Sequence, residues 1–494
     1  MVGFREIPAS NRSTLFFAEL DNSRANSGTA GSLRSLIIGQ QLATGDLPTG
    51  LPVLLEGLDW LRGRAGRGSM LALMAEAYRR GDRSGEVHLL PLADNGAGVA
   101  ATGTLTVTAA PTAAGTEAVY IGDRRVQVAV APTQTTAQVA TAIAAAINAD
   151  TSLPVTATAA TNTVTVTARH KGLTGNDITL ARNLLGSAGG EVAPAGLAIT
   201  AAGLSGGTTA PDLAAALANL AGEPFEFHAM PYTDAASLNA LRDHLAARWS
   251  WDRMLYGGAF AGLRGTLGTA VTFGLTRNDQ HTVCLPADGS PTPAWLWAAN
   301  LAGACAASIR ADPGLPLHGL RLDVMAPPRE KRWGDVDDRN TLLNNGLGAF
   351  VVTADGTVLT DTLVTTYRLN AQSVPDDSYL YPETMYVLAA AIRRLKAYVT
   401  STFGRFKLGS EGTRFRPGSN IVTTGVIRDG ILAEYRRMEA DGLVQEYDAF
   451  AEALVVERDS ANRCRVNGLL PIVPIDQFRQ FAALIQFRKS TSLT

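Results

Sequence analysis

The sequence is poor in most of what an enzyme or a secreted scaffold is built from. Its three cysteines, Cys284, Cys305 and Cys464, are odd in number and widely separated. That spacing argues against a disulfide framework or a Cys-x-x-Cys metal site and fits a reducing compartment. The six histidines, His88, His170, His228, His244, His281 and His318, stand singly. None forms His-x-x-x-His or His-Glu-x-x-His, so the sequence offers no zinc pattern. The Walker spacing and the dinucleotide fingerprint are both missing. No stretch of about 18 uninterrupted apolar residues occurs, which argues against a membrane-spanning helix. The opening M-V-G-F-R-E-I-P-A-S lacks the apolar segment of a secretory signal. Lysine is scarce, with five residues, and the net charge is −2. A charge that small gives no general attraction to nucleic acid or to an anionic membrane.

What is present is a long, ordinary globular composition. At 494 residues with 46% apolar and 18% charged residues, the chain is too long for one core, and two to four domains are expected. S-L-I-I-G at Ser35–Gly39 reads as a buried strand, M-L-A-L-M-A-E-A-Y-R-R as a helix capped by Ser69, and E-V-H-L-L-P-L at Glu86–Leu92 as a strand. Strand, helix, strand in that order indicates a parallel α/β core.

From residue 98 to 207 the composition turns to Ala, Thr, Gly and Val. T-L-T-V-T, A-V-Y-I-G-D-R-R-V-Q-V-A-V and N-T-V-T-V-T-A alternate as strands, with a hairpin turn at Gly122-Asp123. Val139, Ile143 and Ile147 share one helical stripe. This reads as an inserted α+β module, separating Glu86–Leu92 from E-F-H-A-M-P-Y at Glu226–Tyr232 as neighbouring strands. Beyond it, Ala235–Trp249 reads as a helix, T-A-V-T-F-G-L at Thr269–Leu275 as a strand, and the stretch from Pro293 as a buried helix. A polar linker follows at Arg329–Arg339, then a hairpin turning at Asp355-Gly356 and a strand at Thr362–Arg368. A long helix opens at Pro382 with Met385, Leu388, Ile392, Leu395 and Val399 on one face; a second covers Ile427–Ala440, and Leu454–Glu457 is a strand.

Both ends carry apolar strand-like segments. Leu15, Phe16, Phe17 and Leu20 lie between polar, turn-rich flanks. Near the other end, N-G-L-L-P-I-V-P-I-D-Q-F-R-Q-F-A-A-L-I-Q-F-R places Phe481, Ala483, Ile485 and Phe487 in alternation with Gln480, Ala482, Leu484 and Gln486, with Phe478 just before. That is a strand period, although Phe478, Phe481 and Ile485 also suit a helix. An apolar end needs a partner, either its own core or another molecule.

Candidate chemistry is thin. The Gly63–Ser69 loop could cradle a phosphate before a helix, but a flexible or interface loop suits G-R-A-G-R-G-S better. Asp335, Asp337 and Asp338 read as a solvated loop, and Trp295 and Trp297 as core. No residues nominate a cofactor or a metal ion. The expected architecture is an α/β core (31–97 and 208–328) with the inserted β-rich α+β module (98–207), an α+β C-terminal domain (329–461), and extended arms at 1–30 and 462–494.

The ordered blocks T-T-Y-R-L-N, D-D-S-Y-L-Y-P-E-T, R-R-L-K-A-Y, R-F-K-L-G-S-E-G, V-V-E-R-D and the closing apolar stretch resemble the C-terminal part of contractile phage tail sheath proteins, most closely the Mu-like branch. F-R-E-I-P-A-S-N-R, F-F-A-E-L-D-N-S-R-A and R-G-S-M-L-A-L-M-A fit the same branch. The resemblance implies a virion protein made in the host cytoplasm, without enzymatic role or cofactor. It implies self-assembly into stacked six-fold rings around a tail tube, with baseplate and tail terminator proteins as further partners, and neither nucleic-acid binding nor membrane insertion. Arms donated as strands to neighbouring subunits would place the assembly contacts at Leu15, Phe16, Phe17 and Leu20, and at Phe478, Phe481, Ala483, Leu484, Ile485 and Phe487. The alternatives are an α/β hydrolase with a Ser/His/Asp site assembled from distant residues, and a surface or glycan-binding protein using the inserted module.

Overall fold

The computed structural model describes residues 33–416 and 418–487. They divide into two compact units, 33–386 with 476–487, and 387–475.

The first unit is built on a six-stranded sheet. Its order is Thr282–Pro286, Gly258–Leu263, Phe227–Met230, Ser35–Gln40, Val87–Leu92 and Val53–Leu54. All neighbours are parallel except the last pair. The central strand Ser35–Gln40 is buried along its whole length, which is why it reads as a continuous apolar run rather than an alternation. Val87–Leu92 and Phe227–Met230 are not neighbours, contrary to the sequence reading. Each pairs with one side of Ser35–Gln40, because parallel strands joined through long crossovers need not lie side by side.

Helices Met70–Gly81 and Ala294–Ala311 pack on each other at unusually short range. A Cβ at Gly303 would stand 2.3 Å from the Tyr78 carbonyl oxygen, and one at Gly81 would stand 2.5 Å from the Ala304 nitrogen. Asn300 Nδ2 bridges the two helices by donating to the Ala77 carbonyl at 2.9 Å.

Two strand assignments fail for tertiary reasons. Thr269–Leu275 lies in a helix, Leu267–Leu275, whose first turn is capped by the Thr266 hydroxyl. Its Ala270 and Gly274, four residues apart, are the buried positions, a helical spacing that the β-branched residues conceal. Thr362–Arg368 forms no strand; Thr365 makes one isolated bridge to Val283. The Arg329–Arg339 stretch holds a short 3-10 turn and the start of helix Val336–Asn344.

The insertion carries its own core. The sheet Ala198–Ser205, Ala100–Ala109, Thr163–Lys171, Val155–Ala160 and the sheet Arg124–Val130, Gly115–Ile121, Leu180–Arg182 surround helix Thr136–Ala149. Gly122-Asp123 forms the two-residue turn between Ile121 and Arg124, with Gly122 at φ +62°. Leu105, Val107, Val164 and Val166 point inward with Val139, Ile143 and Ile147. The opposite face carries threonines in register across strands: Thr102 faces Thr167, Thr104 faces Thr165, and Thr106 faces both Thr163 and Thr200. Such hydroxyl pairs suit a solvated sheet face.

The second unit is small. The part of helix Pro382–Phe403 beyond residue 386, helices Thr424–Ala440 and Tyr447–Ala453, and the hairpin Val455–Arg458 with Val466–Leu469 surround Ala391, Leu395, Ile431, Tyr435, Met438 and Phe450. The chain after the hairpin stays with this core. Leu470 and Ile472 pack on it, Gln445 N–H donates to the Val473 carbonyl at 3.0 Å, and Ile475 N–H donates to that of Leu443 at 3.1 Å.

Candidate assembly surfaces

Residues Leu15, Phe16, Phe17 and Leu20 lie outside the described residues. Where the described chain starts, it is held firmly. Arg310 Nε donates to the Leu33 carbonyl at 2.8 Å, and Arg34 pairs with Glu86 at 2.8 Å and Glu223 at 3.0 Å.

At the other end the reverse is seen. Phe478 is 77% exposed, Phe481 82%, Leu484 87%, Ile485 86% and Phe487 84%. Ala483 is exposed as well, and residues 476–487 form no helix or strand. Five large apolar side chains presented to water in ten residues form an unsatisfied surface, since single exposed apolar residues are ordinary but contiguous ones are not.

Gln477 and Arg479 are the residues of this stretch that are not exposed. Arg479 Nη2 donates to Glu383 Oε1 at 3.0 Å, and its guanidinium lies 3.7 Å from the centre of the Tyr381 ring. Glu383 is fully buried and also accepts from the Leu317 N–H at 2.7 Å. Sequence reading passed over this pair. The available signal was an arginine between Phe478 and Phe481, in a segment otherwise apolar or amide-bearing.

The hairpin Val455–Arg458 with Val466–Leu469 is a two-stranded sheet among the described residues. Its positions are half-buried or exposed throughout. Two strands alone are marginal in water, and an unpaired strand edge is a template for another strand.

The groups that could do chemistry are otherwise engaged. Asp94 and His170 form a pair at 3.0 Å through Nδ1, but His170 Nε2 accepts the Met70 N–H at 3.0 Å. The lone pair that a general base would use thus holds the first turn of a helix. Neighbouring Ser69 is fully buried and caps the same helix. Cys284 and Cys305 are buried; burial pushes the Cys284 thiol up to about 12, which suppresses the reactive thiolate. The Gly63–Ser69 loop packs on the insertion, where a Cβ at Gly68 would meet the Leu153 carbonyl oxygen at 2.4 Å. Arg64 of the loop pairs with Asp46, and Arg62 just before it pairs with Asp59 and Glu76. Among the described residues, no group of three or more His, Cys, Asp or Glu could hold a metal ion, and no helix is long and apolar enough to cross a membrane.

The phage tail sheath protein central domain is matched by residues 206–363, and the phage tail sheath C-terminal domain by residues 374–488. Over 487 residues the chain is 37% identical to the Mu-like prophage FluMu tail sheath protein of Haemophilus influenzae, covering 98% of this chain and 99% of that one. The chain belongs to the phage tail sheath family. It is a tail sheath component and a structural protein of the virion, as the sequence blocks indicated. Among solved structures, it is similar to the sheath tail protein of Desulfitobacterium hafniense, with a TM-score of 0.48 and 15% identity over 94% of this chain and 97% of that one. It is also similar to the anti-feeding prophage helical sheath in the contracted state, with a TM-score of 0.45 and 12% identity over 98% of this chain and all of that one.

Proposed function

We propose that this sheath subunit polymerises as stacked six-fold rings around a tail tube, with neighbours joined by donated terminal strands, and that contraction of the polymer drives the tube through the host envelope. It has no enzymatic role. The observation that carries the reading is the exposed apolar run from Phe481 to Phe487 in the same chain as a sheet that has only two strands among the described residues. A donated strand would gain main-chain hydrogen bonds of about 0.5–1.5 kcal/mol net each. It would also bury apolar surface at about 25 cal/mol per Å². The neighbour's hairpin at 455–458 and 466–469 is the acceptor. Leu15, Phe16, Phe17 and Leu20 play the same part for the N-terminal arm. Tube, baseplate and terminator proteins are the remaining partners.

Truncation after Arg479 tests this directly, because it removes the apolar strand and leaves the packing of residues 470–475 intact. Removal of Met1–Asp21 tests the other arm. Each shortened chain should fold and fail to form tubes by negative-stain microscopy. Normal sheath from either one sinks the donated-strand reading.

A further inference from the structure

Exposure alternates at the start of the C-terminal arm, and Arg479 is the last described residue in it that is not exposed. The Arg479 side chain is 15% exposed, whereas Phe478 before it and Phe481 after it are 77% and 82% exposed. Arg479 Nη2 serves Glu383 Oε1 at 3.0 Å and Gln477 Oε1 at 3.4 Å, and the Tyr381 ring covers its guanidinium. Glu383 has no exposed surface, and its second oxygen makes no hydrogen bond. Arg479 is therefore the cation that this buried carboxylate depends on.

We infer that Arg479 is the fulcrum of the C-terminal arm: in the assembled sheath the chain up to Arg479 stays on its own subunit, and the strand given to a second copy of this chain begins at Gln480. The inference rests on the strand-donation reading and adds to it where the hand-over starts. The physical reason is an asymmetry. Moving Arg479 away would leave Glu383 buried and unpaired, which is strongly unfavourable. Moving Phe481–Phe487 costs its own subunit little packing and removes apolar surface from water on the neighbour. From the fulcrum, the eight residues 480–487 reach about 26 Å when extended. Phe481, Ala483, Ile485 and Phe487 then share one face, and Leu484 lies on the other. Phe478 is separated from this set and is not part of the donated strand.

Pulsed electron–electron resonance on the full-length chain tests the assignment without touching the fulcrum. In a Cys464→Ser background, spin labels are placed at Leu315→Cys with Phe478→Cys, and separately at Leu315→Cys with Ile485→Cys. Leu315 is an exposed site close in sequence to the Leu317 amide that binds Glu383. Labelled chains are diluted into unlabelled chain so that only distances within one chain are read. The 315–478 distance should be the same before and after tube formation, while the 315–485 distance should shift and narrow. A 315–478 distance that changes on assembly overturns the fulcrum and leaves strand donation standing. A 315–485 distance that does not change overturns strand donation, and the fulcrum with it.

A charge test separates the ion pair from mere packing of the arginine stem. Arg479→Met should broaden the 315–478 distribution, and adding Glu383→Gln should narrow it again. An Arg479→Met chain with an unchanged distribution refutes the role given to the charge.

Discussion

Val455 lies opposite Leu469 in the C-terminal hairpin, and both side chains remain open to solvent, at 45% and 64% exposure. Apolar residues kept at an open sheet edge serve a partner better than they serve the isolated fold. Val455→Lys and Leu469→Lys should therefore change the stability of the chain by no more than about 0.5 kcal/mol. Each should nevertheless prevent or shorten tubes, because lysine at an edge is what blocks strand addition. Denaturation midpoints and electron microscopy of the same preparations check both halves.

The support behind that hairpin is a small core centred on two rings. Tyr435 and Phe450 stack with centroids 3.7 Å apart and planes 10° apart, and the Tyr435 hydroxyl donates to the Gln445 carbonyl at 2.7 Å. Phe450→Ala should cost about 3–5 kcal/mol, and Tyr435→Phe about 1–2 kcal/mol for the hydroxyl's lost bonds to the Gln445 carbonyl and the Val473 N–H. Urea unfolding of the full chain should show Phe450→Ala melting its C-terminal unit first. A single transition unchanged in midpoint would contradict the packing described.

Acid should weaken the first unit. His228 is buried and His244 half-buried, and desolvation lowers them to about 3 and about 4; burial lowers His281 as well. The Nε2 atoms of all three are buried without a hydrogen-bond partner. In the unfolded chain these rings titrate near 6.5. Below that pH the unfolded state binds more protons, so stability is full above about 6.5 and falls as pH drops toward 4. His228 and His244 each contribute a slope of up to about 1.4 kcal/mol per pH unit in that window, and His281 adds in the same direction. Thermal melts at pH 7.5, 6 and 5 should show the fall, and His244→Leu should make it shallower by about one proton.

The Asp94–His170 pair gives a second check on the structural reading. His170→Ala removes the acceptor of the Met70 N–H, and the loss should be about 1–3 kcal/mol in stability. A fluorophosphonate probe should leave Ser69 unlabelled in the parent and in the variant alike. Labelling of Ser69 that disappears with His170→Ala would revive the hydrolase alternative.

How far the sequence reached depends on whether a segment's signal was local. The Met70–Gly81 helix with its Ser69 cap, the Gly122-Asp123 turn and the opening of helix Pro382–Phe403 are written in neighbouring residues, and reading them needed nothing else. Thr269–Leu275 is helical because Ala270 and Gly274 must fit under other elements, with Gly274 so tight that a Cβ would lie 2.2 Å from the Asn345 carbonyl oxygen. Nothing in T-A-V-T-F-G-L records that neighbour. Arg479 and Glu383 are 96 residues apart, and pairing them requires the fold. The exposed apolar arm was visible as composition, but its division at Arg479 was not.

The insertion should be separable from the core. Its own hydrophobic cluster is distinct from that of the six-stranded sheet. Its ends meet in a bridge in which Val99 N–H donates to the Thr208 carbonyl at 3.3 Å and Thr208 N–H donates to that of Val99 at 3.2 Å. Residues bonded that way have Cα atoms about 5.5 Å apart, so a two-residue Gly linker replacing 100–207 closes the gap without strain. The excision also removes polar ties to the core, among them His170 to Met70 and Asp94, Lys171 to Asp94 and Gln40, Arg124 to Glu76 at 3.2 Å, and Thr292 to Asp123 at 2.9 Å. The core should then fold with a loss of several kcal/mol, since each such tie contributes about 0.5–1.5 kcal/mol, and residues 98–208 expressed alone should fold as well. Circular dichroism melts of both fragments decide the matter: an unfolded core would show that the insertion is an integral part of the first unit's stability. If the trimmed chain also forms tubes, the insertion is decoration on the sheath; if it folds and forms none, the Thr-covered module is itself an assembly surface.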